Sequence, residues 1–219
     1  LEHLRVGIPP VNRHRHGVLE DSLPALAVED DALLRGIEHI LVLCLERVRE
    51  HRLVDEGEAQ LDDAAHALRG PFEPWLRSPI LADRAQKLGE YCRFDNSLPR
   101  DLSELAICLV GRHFKAQFEF YAHARLAKEA GLAPAIIEAV RTRATPPFTR
   151  DVERVVYDFV TEYLDTNRVA TPNYQRAIDA FGEQGVVDLV GVCGYYMLVS
   201  MTLNVFEMPL PPGEPEPLA

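Results

Sequence analysis

Residues 98–132 read LPRDLSELAICLVGRHFKAQFEFYAHARLAKEAGL. Leu98-Pro99 opens a helix in which Leu102, Leu105, Ala106, Leu109 and Val110 form one apolar stripe. Glu104, Cys108 and Arg112 share a different stripe at i, i+4, i+8. A break or kink is predicted between His113 and Ala116. A second helix then carries Phe118, Glu119, Tyr121, Ala122, His123, Leu126 and Ala127, and Gly131 stops it with a left-handed cap. Two striped helices on so short a joint pack antiparallel, and this hairpin sets an all-α fold.

The same pattern continues outward. Downstream, helices are predicted at residues 134–143, 149–166 and 171–181, each introduced by Pro, Thr or Asp. The last helix, from about Glu183 to Val205, is apolar nearly all round and is expected to be the central, most enclosed one. Residues 209–217, PLPPGEPEP, must run extended, because repeated proline fixes φ and removes donors; this tail lies over the body or over a neighbouring subunit. Upstream, Ser78-Pro79 reads as N-cap and first position of a helix to about Phe94, with Ile80, Leu81, Ala85, Leu88 and Tyr91 on its apolar side. The loop Gly70-Pro71-Phe72-Glu73-Pro74-Trp75 holds the only Trp and either seals a core edge or roofs a pocket. A shorter helix is predicted over about 56–69. An amphipathic one starts at Asp30 or Asp31 and carries Leu33, Leu34, Ile37, Ile40, Leu41, Cys44, Leu45 and Val48. Residues 1–29 show no sustained periodicity and read as a loose arm; His14 and His16 within it are surface residues in the plain reading, with a metal site as the sharper one. No run alternates with period two between hairpin signals, so strands are not expected.

Composition narrows the function classes. The 219 residues are 47% hydrophobic and 26% charged, ordinary for a single folded domain. Lys and Arg number 23 against 34 Asp and Glu, a formal charge of −11, which repels phosphate backbones; nucleic acid is not expected as a partner. The best apolar run, residues 37–45, contains Glu38 and His39 and falls short of the ~18 to 20 apolar residues of a bilayer span, so no membrane partner is expected. The first residues lack the order of a secretory signal. Cys44, Cys92, Cys108 and Cys193 stand far apart with no CxxC, consistent with reduced, buried thiols in a cytoplasmic protein.

Chemistry concentrates in the opening stretch. Glu119 and His123 are one helical turn apart and can touch. The surrounding Phe118, Phe120, Tyr121 and Ala122 would raise the carboxyl pKa by desolvation, while a neighbouring imidazolium would lower it. Such opposed effects poise acid and base groups. The same spacing describes an ordinary surface ion pair. Glu104 can point at His123 if the helices pack antiparallel, or can be a solvated carboxylate near a helix start. A metal held by two carboxylates and a histidine lacks the HExxH pattern that would make it persuasive, so no metal or cofactor is assigned. Arg112 or His113 could pair a substrate carboxylate, a planar guanidinium being matched to that geometry. Tyr195, Tyr196 and Asn204 are further pocket candidates on the last helix.

These residues carry a resemblance. Ser78-Pro79-Ile80-Leu81-Ala82, the run Leu98 to Ile107, the run Ala116 to His123, Ala130-Gly131-Leu132 and the run Phe181 to Leu189 resemble the carboxymuconolactone decarboxylase-like, or alkylhydroperoxidase D-like, superfamily, over residues 69–210. The resemblance implies a compact helical bundle over residues 56–208, with residues 1–55 as an unmatched arm and helix and 209–219 as a Pro-rich tail. It also implies a homo-oligomer, and the added helix at 30–52 could be an oligomer contact. The peroxidase branch uses a glutamate, a CxxC pair and a histidine four residues on. Here Glu104 and His123 match, but the cysteine positions fall on Ala116 and Glu119, so thiol-based peroxide reduction through that pair is chemically excluded. The resemblance therefore implies acid/base chemistry on a small lactone or carboxylic acid. On that reading His123 transfers the proton and Glu119 or Glu104 orients it. The substrate-contact candidates Arg112, His113, Tyr195 and Asn204 rest on residue type alone: Arg112 is equally read as an exposed helix residue, Tyr195 as a core aromatic and Asn204 as a buried, satisfied amide. A hydrolase or isomerase on the same scaffold, and a non-catalytic oligomeric binding protein, are the other expectations.

Overall fold

The computed structural model describes residues 70–75 and 77–218. Seven α-helices follow one another there: α1 (Phe72–Trp75), α2 (Pro79–Glu90), α3 (Arg100–His113), α4 (Gln117–Glu129), α5 (Pro134–Thr142), α6 (Asp151–Thr166) and α7 (Thr171–Val205); a π-helical turn, Tyr91–Asp95, extends α2. No strand occurs among the described residues, so this part of the chain is all-α. The helices predicted over 30–52 and 56–69, Cys44, the His14 and His16 pair and the boundary at residue 55 lie outside the described residues.

Proline and positive-φ residues set the limits. Proline stands in the first turn of α2, α5 and α7, where a missing N–H costs no helical bond. The α3–α4 joint turns at Lys115, φ 53°, and α4 ends at Gly131, φ 100°. Within α7 the path breaks at Gly182, φ 71° and ψ 178°, a conformation essentially reserved to glycine. The two helices predicted on either side of that residue are therefore present, joined at an angle.

The central helix is α3, not the last one. Every residue from Asp101 to Gly111 is buried, and α3 packs against α4, α6 and α7. The final helix buries Leu189, Val192, Tyr196 and Leu203 but leaves Val187, Val190, Met201 and Val205 exposed, which corrects the expectation that it is enclosed all round. A second correction concerns α2. Its large apolar residues Ile80, Leu81 and Leu88 face outward, while Ala82, Ala85 and Gly89 face inward; in the π-helical turn Cys92 is buried and Tyr91 bonds Asp188 of α7 through its hydroxyl. The reason is proximity: a Cβ built on Gly89 would overlap the Tyr195 hydroxyl, so only small side chains fit between α2 and α7.

Three polar ties fasten the ends. The Trp75 indole N–H donates to Thr202 Oγ1 at 3.1 Å, so the Pro-rich aromatic loop seals a core edge. Arg150, at the start of α6, bonds both Asp101 of α3 and Glu153 of its own first turn. The tail is not extended throughout as expected: it turns at Gly213, φ 87°, with Glu214 N donating to Pro211 O at 3.1 Å. It then returns to the body, where Gln117 Nε2 donates to Leu218 O at 2.8 Å and Gln117 Oε1 accepts from Leu218 N at 3.0 Å, with Leu218 buried.

Candidate active site

The α3–α4 hairpin brings Glu104 and His123 face to face. Glu104 lies in the first turns of α3, and its Oε2 sits 2.7 Å from His123 Nδ1. Both side chains are buried, so neither the solvated helix-start carboxylate nor the surface pair describes them. An ionised Glu104 accepts from Nδ1–H and thereby leaves Nε2 as the basic nitrogen; a protonated ring becomes a donor held by a carboxylate. The ring edge of His123 rests on Tyr196, with centroids 4.7 Å apart and planes at 81°. Tyr196 in turn packs edge-on against Tyr195, and Tyr195 against Trp75. This aromatic row packs against one side of the pair.

Glu119 behaves differently from the simple i, i+4 expectation. Its Oε1 accepts from Ser200 Oγ of α7 at 2.9 Å, and its Oε2 is buried with no hydrogen-bond partner. At 1% exposure, burial pushes its carboxyl well above the usual range, and the Ser200 bond offsets this only in part. The group favours its protonated form. Glu104 is thus the partner of His123 Nδ1, while Glu119 bonds Ser200 and holds its proton to higher pH than an ordinary carboxyl.

Cys108, one turn after Glu104, is a buried wall thiol. Burial, then the nearby carboxylates Glu104 and Glu119, push its pKa well up. Cys92 is pushed up to about 11 and Cys193 to about 12, both chiefly by burial. None of the described thiols offers a thiolate at neutral pH. Among the described residues no group of three or more His, Cys, Asp or Glu side chains gathers as a metal site.

The remaining predicted residues separate. Arg112 is half-buried, with Nε and Nη1 enclosed and unpartnered; burial and the cations Arg143 and Arg141 lower its pKa, so its charged surroundings are basic. His113 is exposed and packs edge-on against Phe114 at 5.0 Å. Asn204 is exposed too, and its Nδ2 donates to Phe114 O at 2.8 Å, tying α7 to the α3–α4 joint. Tyr195 is buried in the aromatic row, one ring removed from His123. Sequence reasoning missed Ser200. Its signal was a hydroxyl four residues after Tyr196 in an apolar run, hence on the same helix face. A scan against protein-family models and a search of the curated proteins find no match to this chain.

Proposed function

We propose that this chain is a carboxymuconolactone decarboxylase-like enzyme that uses His123, oriented by Glu104, for acid/base chemistry on a small lactone or carboxylic acid, and that it is not a thiol peroxidase. The observation that carries this is the buried 2.7 Å contact between His123 Nδ1 and Glu104 Oε2. In a lyase of this type the substrate loses CO2 from one carbon and gains a proton there. Glu104 fixes the tautomer and stabilises the imidazolium, Nε2 delivers the proton, and the aromatic row packs against one side of the pair. Glu119, favouring its neutral form, adds no second negative charge that would repel a carboxylate substrate. Arg112, with two enclosed donors, is the residue suited to pair that carboxylate. The helical body is read as alkylhydroperoxidase D-like and the working form as a homo-oligomer, both on the sequence resemblance; the cytoplasmic setting is read from the scattered cysteines without a CxxC pair.

The test is a screen of small lactones and carboxylic acids for CO2 release, wild type against His123→Ala. A substrate turned over by the wild type and not by the variant supports the reading; equal rates remove the histidine from the mechanism. A peroxide assay with a dithiol donor addresses the other half, and robust turnover there overturns it. A second reading, an oligomeric binding protein, is favoured by the packing of the same ring, which is only 8% exposed and rests on Tyr196. Binding without turnover of any acid in the screen would select it.

A further inference from the structure

The outer side of α7 carries apolar surface that nothing in the described body covers. Beyond the bend at Gly182 the helix runs on to Val205; Val187 is 69% exposed there, Val190 56% and Met201 62%, while Gly194 is exposed and Met197 half-buried. Val187, Val190, Gly194, Met197, Met201 and Asn204 alternate steps of three and four, a heptad seam about 26 Å long. Residues 189–206 hold no Asp, Glu, Lys, Arg or His, in a chain whose formal charge is −11. A continuous exposed apolar face of this kind marks a contact surface. The helix is long and apolar enough to cross a membrane, yet 61% of its most apolar window is buried inside the body, which points to protein packing.

We propose that this seam is the contact face for a second copy of the chain, bound antiparallel through α7 about a two-fold axis at the level of Tyr195 and Tyr196. The order of side-chain sizes selects this occupant, because the seam is complementary to itself when reversed. Gly194 then faces the partner's Met197, Val190 the partner's Met201, and Val187 the partner's Asn204 at the rim, each pair made twice. Nothing lies within 4 Å of a Cβ built on Gly194, so the long methionine enters space that the glycine leaves open. A parallel copy would set every residue against itself, with a void at Gly194 and two Met–Met pairs beside it. Charge supports the same choice. Two chains of −11 repel wherever acidic surfaces meet, whereas residues 189–206 bring no charges together; a basic partner drawn by the acidic surface finds no carboxylate to pair along this stretch. The proposal rests on the homo-oligomer part of the reading above and adds where the subunits meet.

The test uses the full chain carrying Cys44→Ser, since Cys92, Cys108 and Cys193 are buried. V190C, M201C and the double variant V190C/M201C are oxidised with copper phenanthroline. Positions 190 and 201 lie about 16 Å apart along one helix, too far for a disulfide within a chain, and in the antiparallel register each position is equally far from its own copy. The expected result is covalent dimer from the double variant, at least about tenfold above either single variant, with position 190 joined to position 201. Sedimentation of the wild type should give the mass of two chains or an even multiple, and G194R should at least halve it. Gly194 is exposed and its Cβ direction is open, so that substitution leaves the fold of one chain intact. A monomeric wild type would overturn the proposal together with the homo-oligomer, and flotation of that monomer with phosphatidylcholine–phosphatidylglycerol vesicles would assign the face to lipid. An oligomer that G194R leaves at its wild-type mass would overturn the proposal alone. Links as abundant in the single variants as in the double one, or absent from all three, would overturn it too. CO2 release enters none of these readouts, so the acid/base reading stands or falls separately.

Discussion

Asp188 and Glu119 are both buried carboxyl groups at contacts made by α7, and their surroundings treat them in opposite ways. Asp188 accepts from Tyr91 Oη at 2.7 Å, from Ser97 N at 2.9 Å and from Ser97 Oγ at 2.6 Å. Burial alone would raise its pKa, but the Ser97 and Tyr91 bonds outweigh it and hold the group below the usual carboxylate range. Glu119 has one donor, Ser200, and an oxygen with none, so burial wins and its pKa rises. Depth and donor count act together: Glu119 is the more deeply buried and has the fewer donors, and Asp188 is the shallower and has the more. The saturated one anchors the turn between α2 and α3; the unsaturated one, bonded only to Ser200, holds its proton to higher pH.

The sharpest way to break this division is to exchange charge for amide on each side of it. On the proposed mechanism Glu104→Gln should lower CO2 release about 10²- to 10⁴-fold, the range of a lost acid/base contribution, while the urea midpoint moves little. An unchanged rate would make the pair merely structural. Asp188→Asn should do the reverse, costing about 3 kcal/mol of stability through weakened charge-assisted bonds, read by urea denaturation, with turnover per folded molecule retained. Next in size is a pH effect. The folded state holds the Glu119 proton above the ordinary carboxyl pKa, whereas the unfolded chain releases it near ~4.3. Between those values the folded state binds more protons, and stability falls as pH rises. Glu119→Gln lacks this loss, so relative to wild type it should gain about 1.4 kcal/mol per pH unit above ~4.5 until the folded group ionises. Parallel stability profiles across pH 4 to 8 would contradict the assignment. The smallest effect is expected from Gly89→Ala, about 1–2 kcal/mol, because the new methyl presses on Tyr195 and pushes α2 off α7. It should weaken the Tyr91–Asp188 side and leave CO2 release per folded molecule unchanged.

Helix limits were legible because single residues dictate them: Pro99, Pro134, Gly131 and the glycine inside α7 stand where the backbone changes course. The meeting of Glu104 with His123 was legible as a consequence of antiparallel packing across a short joint. What sequence could not supply was which face of α2 turns inward. Hydrophobic periodicity ranks Ile80 and Leu88 above Ala82 and Ala85, but the distance to a neighbouring helix is a tertiary quantity, and close approach favours the small side. The partner of Glu119 was hidden for a similar reason. Ser200 is 81 residues away, so the spacing that suggested a Glu119–His123 contact carried no information about a competitor from another helix. Asn204 and His113 looked like site residues by type alone; exposure and a backbone partner give Asn204 a fastening role instead.

The bend at Gly182 sets the heading of the second half of the last helix, the half that brings Ser200 to Glu119. A Cβ at that position would meet no atom within 4 Å, so an alanine there is opposed by the backbone angles alone, φ 71° and ψ 178°, and not by crowding.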